Sequence, residues 1–210
     1  MTRLHLFDLD GTLIYGSAAP VEISRQLGLE REIAELERAF AGRLLGPPEF
    51  ALRVRELWAE LTEQQVADAF EGAPWLVGIR EVWADIAARG EWCAVISLSP
   101  DFFVRRLLEW GAHAAFGSRF PAVPFREPVR PDGILNPAAK VKIADELCER
   151  FGVKRSECVA YGDSMSDAEL FAALPVSIAV NADQHLSGLA SYAYVGRDLR
   201  AAYELTSNHR

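Results

Sequence analysis

Two aspartates one residue apart close the first apolar run of the chain, Leu4-His5-Leu6-Phe7-Asp8-Leu9-Asp10-Gly11-Thr12-Leu13. Leu4 to Phe7 is apolar enough for a buried parallel strand, and Gly11-Thr12 interrupts it. Both carboxylates therefore fall at the strand's carboxyl end, where open α/β sheets place their ligands. On a regular strand Asp8 and Asp10 point to opposite sides, yet a backbone that turns at Gly11 brings both towards one point. Such a pair suits phosphoryl transfer, with one carboxylate attacking and the other moving protons. Alone the pattern is weak, because solvated acidic turns contain it too.

Three further groups fall at strand ends or helix starts. Ser97 directly follows the apolar Ala94-Val95-Ile96. A hydroxyl there, with the backbone N–H groups after it, suits a transferring phosphoryl oxygen, and it suits a turn equally well. Lys140 lies near the start of a helix whose apolar positions include Val141, Ile143, Ala144 and Leu147. A cation at that end opposes the helix dipole, which points to a partner anion; Lys142 competes for the role, and two solvated lysines are the plainer alternative. Gly162-Asp163-Ser164-Met165-Ser166-Asp167 follows another short apolar strand. Either these acids cap a helix or, with Asp8 and Asp10, they crowd enough negative charge into one pocket to require a hard cation such as Mg²⁺.

The elements that must position these groups follow from periodicity. After Leu13 come four amphipathic segments, Pro20–Gly28, Glu30–Gly42, Pro48–Leu61 and Thr62–Phe70, separated by Gly and Pro. From Val77 the chain alternates: a helix to Arg89, a strand Trp92–Ile96, and a helix opened by Ser99 as N-cap with Pro100 first inside it. The segment Ala114–Phe120, a Pro-rich stretch turning at Pro131-Asp132-Gly133, a helix from about Ala138 to Phe151, a strand at Val159–Tyr161, a helix through Leu174 and a strand Val176–Val180 complete the pattern. The expected fold class is α/β: a doubly wound, Rossmann-like parallel sheet with a small helical cap inserted after the first strand. Residues 1–15 and 76–210 would form the core domain and residues 16–75 the cap.

The chain has 210 residues, half of them hydrophobic, and a formal net charge of −8. That size suits one substantial domain with a modest insertion. The acidic balance argues against a general nucleic-acid or membrane surface, while small anions remain possible substrates through a local field. Cys93, Cys148 and Cys158 show no metal-ligand spacing, and their odd number argues against a disulfide framework. Without a leader or a long apolar run, cytoplasm is the default expectation.

In this order the four groups resemble the haloacid dehalogenase superfamily of aspartate-nucleophile phosphatases along the whole chain, and the helical insert resembles its type-one cap, most like the phosphoserine phosphatase branch. The resemblance implies that Asp8 is the nucleophile, Asp10 the general acid and base, Ser97 the second-motif hydroxyl and Lys140 the third-motif cation, favoured over Lys142 by its interval to Asp163. It implies Mg²⁺ held by Asp8, the Asp10 carbonyl and Asp163, with Asp167 orienting Lys140 or a metal-bound water. Gly11, Thr12 and Leu98 join Arg55 as substrate-binding positions. Arg55, in Leu52-Arg53-Val54-Arg55, resembles the cap arginine that clamps a substrate carboxylate; the alternative is an arginine on a solvated helix face. Ser17-Ala18-Ala19 stands where phosphoserine phosphatases carry a glutamate for the substrate amine, with Glu22 the nearest acid, and Ser97-Leu98-Ser99-Pro100 replaces a serine followed by two glycines. The expected protein is a Mg²⁺-dependent phosphomonoesterase acting through an aspartyl-phosphate on a small phosphorylated metabolite, with another phosphomonoester expected to be preferred over phosphoserine. Its rivals are a phosphoserine phosphatase proper, a dehalogenase, against which Asp10 and Asp163 count, and a catalytically idle binding module. Oligomeric state is not legible, and Trp58, Trp75 and Trp83 are candidates for an exposed surface.

Overall fold

The run Leu4–Phe7 forms β1, the pivot of a six-stranded parallel sheet in the order β3-β2-β1-β4-β5-β6. The computed structural model describes residues 2–206. Its neighbours are β2 (Trp92–Pro100) and β4 (Cys158–Gly162), in register Phe7 with Val95 and Phe7 with Tyr161. Outward lie β3 (Ala114–Ser118) on one side and β5 (Val176–Val180) and β6 (Tyr192–Tyr194) on the other. The strand order reverses at β1, so a crevice opens between the ends of β1 and β4, where a doubly wound sheet receives its ligand.

Strand alternation decides what each face of the sheet meets. Leu4 and Leu6 point into a core with Ile143, Ala144 and Leu147 of α7 (Pro137–Phe151), alongside α8 (Ala168–Ala173) and α9 (Gln184–Ser187). Phe7 points the other way, stacked on Tyr161 at 4.3 Å between ring centres, into a core with Trp83 of α5 (Ile79–Ala88) and Tyr203 of α10 (Leu199–Glu204). By the same alternation, Asp8 continues the Leu4–Leu6 face and is turned towards α7.

Between β1 and α5 the chain makes α1 (Ala19–Gln26), α2 (Glu30–Ala41), α3 (Pro47–Leu57) and α4 (Glu63–Gly72). The strongest local signal is at α4, where Thr62 and Gln65 form a reciprocal capping box. The chain leaves and re-enters the sheet side by side: the Tyr15 N–H donates to the Pro74 carbonyl and the Leu76 N–H to the Leu13 carbonyl. Buried residues of this unit, among them Ile33, Val54, Trp58 and Val66, belong to the same apolar cluster as Phe7 and Trp83.

The structure departs from expectation after Ile96. Instead of ending there, β2 stays extended to Pro100, with its register against β3 slipping between Ile96 and Pro100. Ser99 is consequently not a helix cap; its hydroxyl donates to Asp10, and α6 (Asp101–Val104) starts after Pro100 and tightens into a 3-10 turn through Trp110. All three cysteines are buried and free, and Trp58 and Trp83 are buried, Trp75 partly so, so none of the three tryptophans marks an exposed patch. Among the described residues no helix is long and apolar enough to cross a membrane.

Candidate active site at the carboxyl edge of the sheet

Asp8, Asp10, Gly11, Leu98, Ser99 and Asp163 all line one cavity of about 1160 Å³ between the sheet edge and the helical unit. Its floor is possible because two glycines let loops approach. Gly11 has φ +74, and a Cβ there would sit 2.0 Å from an Asp163 carboxylate oxygen; a Cβ on Gly162 would meet Asp167 at 2.4 Å. The turn at Gly11 thus lets the first loop approach the loop after β4.

Asp8 is buried, and Lys140 Nζ donates to its Oδ1 at 2.7 Å, while the Thr12 hydroxyl gives Oδ2 a long bond of 3.3 Å. Lys140 also donates to Asp167 at 2.6 Å and to the Ser166 hydroxyl at 3.4 Å. The choice between the two lysines follows from helix geometry. Lys140 occupies the first position of the inward stripe Lys140, Ile143, Ala144, Leu147, with Asn136 capping the helix through the Ala139 N–H, whereas Lys142 is 81% exposed beside Glu146. Burial alone would lower the Lys140 ammonium's pKa, but Asp167 and Asp8 outweigh it and hold the amine above its ordinary value.

Asp10 is held differently. Its Oδ1 accepts the Ala19 N–H at 2.7 Å, and its Oδ2 accepts the Ser99 hydroxyl at 2.6 Å and the Ser97 hydroxyl at 3.2 Å. The Ser97 oxygen in turn accepts the Ser99 N–H. Burial pushes the Asp10 carboxyl above its ordinary value despite these three donors. Ser99 was not singled out as a site residue, although Ser97-x-Ser99 carries the signal: two hydroxyls at strand spacing face the same side.

Burial, followed by the Asp167 charge, raises Asp8 well above the ordinary carboxylate range, and the same causes in the same order push Asp163 up to about 7. Asp8, Asp163 and Asp167 offer oxygens within 4.8 Å of one another. Asp167 is already committed, however: one oxygen accepts from Lys140 and the other from the N–H groups of Asp163 and Ser164. Asp163 accepts from no side-chain donor among the described residues and Asp8 Oδ2 accepts only the long Thr12 bond, which leaves a hard donor set with more negative charge than Lys140 offsets. That is what a small divalent cation fits.

Two cap residues lie elsewhere than the resemblance implies. Arg55 does not line the cavity; its guanidinium lies 5.7 Å from the Phe125 ring centre and reaches the Glu127 carbonyl at 3.4 Å. On α3 the inward positions are Ala51 and Val54, so the next residue is carried round the helix towards the loop that holds Phe125. Glu22 is buried and neutralised, accepting from Arg25 at 2.6 Å and from the Ser17 hydroxyl, so it is not offered to the cavity that Ser17 lines.

A curated phosphoserine phosphatase of Archaeoglobus fulgidus is 28% identical over 191 residues, covering 90% of this chain and 55% of that protein, so the chain spans about half the length of that relative. A substrate-bound phosphoserine phosphatase superposes with a TM-score of 0.82 at 24% identity over 98% of both chains. A phospho-aspartyl intermediate analogue of phosphoserine phosphatase superposes with a TM-score of 0.78 at 25% identity, over 97% of this chain and 98% of that one. The model of the haloacid dehalogenase-like hydrolases matches residues 5–172, from the first residues of β1 to within α8, and the chain belongs to that family.

Proposed function

We propose that this chain is a phosphomonoester hydrolase acting through an aspartyl-phosphate on Asp8. The observation that carries the reading is the unequal treatment of two neighbouring carboxylates. Asp8 is paired with a buried ammonium, which works against the burial that raises its carboxyl, whereas Asp10 has neutral hydrogen-bond donors around it and burial favours its proton. A cation on one acid and neutral donors on its neighbour separate a nucleophile from an acid.

Asp8 attacks phosphorus and the bond to the ester oxygen breaks, while Asp10 gives its proton to the departing alkoxide. Asp10, now ionised and steadied by Ser97, Ser99 and the Ala19 N–H, takes a proton from the water that attacks the aspartyl-phosphate. Inorganic phosphate leaves and Asp8 is restored. Lys140 works against the burial that disfavours the Asp8 anion and offsets charge on the group in transfer, and Asp167 holds Lys140 in place. Mg²⁺ held by Asp8, the Asp10 carbonyl and Asp163 would supply neutralisation between nucleophile and phosphate. The helical unit, residues 16–75, acts as the cap that shields the site and reads the leaving group. The relatives' phosphoserine activity supports a small phosphorylated metabolite as substrate.

The test is release of phosphate from p-nitrophenyl phosphate and a panel of phosphorylated metabolites, with and without EDTA. Turnover that EDTA abolishes and Mg²⁺ restores is expected. Chelator-insensitive activity on haloacids would favour the dehalogenase alternative, and no turnover of any ester would favour an idle binding module.

A further inference from the structure

The wall opposite the aspartates is one face of α2, where Ala34, Glu37, Arg38 and Ala41 recur at helical spacing and all line the cavity. Glu37 stands out among them. Its carboxyl is only partly exposed and has no hydrogen-bond or ion-pair partner among the described residues, whereas Arg38 and Arg43 are exposed at the margin. The same lining includes apolar groups, Phe40 and Phe50 with ring centres 4.9 Å apart and Val54. An acid half-withdrawn from water with no partner is a costly arrangement unless something supplies a counter-charge. Burial first, then the Asp10 charge, push the Glu37 carboxyl up to about 7, so the group also senses the negative floor across the cavity.

We propose that Glu37 is a specificity-determining residue that receives a protonated amine on the leaving group, carried there by an apolar spacer lying along Phe40 and Phe50. The preferred substrate is then the phosphate monoester of an amino alcohol longer than ethanolamine. A cation suits Glu37 better than an anion, because this half-withdrawn carboxylate has no partner among the described residues and the acidic floor adds to it, while Arg38 and Arg43 of the same lining are exposed to water. A spacer suits it because the cavity, at about 1160 Å³, exceeds what a two- or three-carbon ester fills. The inference rests on the phosphatase reading above and names the substrate class of the same site.

The test compares ω-aminoalkyl phosphates of two to eight carbons with alkyl phosphates of matching length, in the wild type, Glu37→Gln and Glu37→Asp. The expected readout is the ratio of kcat/KM, amine over alkyl. In the wild type it rises at least about tenfold at one chain length beyond two carbons, falls towards unity in Glu37→Gln, and is partly kept in Glu37→Asp, a gap of about 1.4 kcal/mol for each factor of ten. A ratio that is flat with length, or unchanged in Glu37→Gln, overturns the proposal while p-nitrophenyl phosphate turnover leaves the phosphatase reading standing. Should no ester be turned over, calorimetric titration of the same compounds into the wild type and Glu37→Gln decides. Amine-dependent binding lost in the variant supports the amine site, and equal or absent binding overturns it.

Discussion

On the floor of the cavity charged groups are tied down: Lys140 bridges Asp8 and Asp167, and three donors converge on Asp10. On the opposite wall, Glu37, Arg38 and Arg43 line the same space with no side-chain hydrogen bond or ion pair among the described residues. The difference follows from what carries each region. Asp8, Asp10, Ser97 and Ser99 lie on or just beyond strands fixed by parallel neighbours on both sides, where a one-residue slip would turn side chains to the wrong face, and Lys140 is held by the buried stripe of α7. The helical wall needs only its buried stripe, leaving its cavity-facing positions free to vary with the leaving group. Asp163 is the floor's exception, a carboxylate without a side-chain donor, and it is where the cation reading concentrates.

The sharpest way to break this contrast is at Asp8. Asn has nearly the same shape but no nucleophilic charge, so Asp8→Asn is expected to lower kcat on p-nitrophenyl phosphate by at least about a thousandfold, the scale seen when a nucleophile is removed. The circular dichroism spectrum should be unchanged. Substantial turnover by a cleanly purified variant would remove Asp8 from that role.

Asp10→Asn comes next and is selective. A general acid contributes roughly 10² to 10⁴ where the leaving group is a poor one. An alkyl phosphate should lose that much, while p-nitrophenyl phosphate, whose leaving group needs little protonation, loses far less. Equal losses on both esters count against Asp10 as the acid.

Asp163 links the floor to stability. Its carboxyl is raised from 3.8 to about 7, chiefly by burial. In metal-free protein the unfolded chain releases this proton near pH 4 and the folded chain only near 7, so folding stability is expected to fall as pH rises between those values. A mismatch of one pKa unit is about 1.4 kcal/mol, and at this chain length 1 kcal/mol moves Tm by roughly 2 to 4 °C. Mg²⁺ should recover Tm more at pH 8 than at pH 5, and Asp163→Asn should flatten both the pH dependence and the Mg²⁺ effect. Identical Tm curves for the wild type and Asp163→Asn in the presence and absence of Mg²⁺ would rule out coordination by this carboxylate.

How much of this was legible beforehand follows the same division. The sheet, the turn at Gly11 and the loop Gly162–Asp167 are readable because buried parallel strands end in short polar loops whose residues have few alternatives. Between Lys140 and Lys142 the resemblance favours Lys140 by its interval to Asp163, and the structure adds a reason, since Lys140 keeps step with Ile143, Ala144 and Leu147 on the inward stripe. The region after Ile96 departs from expectation because Ser-Pro-Asp is a strong helix-start pattern, while tertiary contacts hold residues 97–100 extended: both serines bond Asp10, Pro100 pairs with Ser118, and the Ser118 hydroxyl donates to the Leu98 carbonyl. Glu37 gave no signal of its own, because an acid in an acidic amphipathic helix looks solvated until the opposing wall is known.

The smallest effect is expected at Arg55, where the resemblance led to a substrate clamp. A clamp would cost a carboxylated ester roughly 2 to 5 kcal/mol when removed and spare other esters. The structure instead lays the guanidinium over Phe125 and within weak reach of the Glu127 carbonyl, outside the cavity lining. A partly exposed cation–π contact is worth about 0.5 to 1 kcal/mol, so Arg55→Ala should lower Tm by a few degrees at most. It should change kcat/KM by the same small factor for every phosphomonoester, carboxylated or not. Selective loss on carboxylated esters alone would mean that the guanidinium swings from Phe125 into the cavity when substrate binds, and would move part of the recognition from α2 to α3.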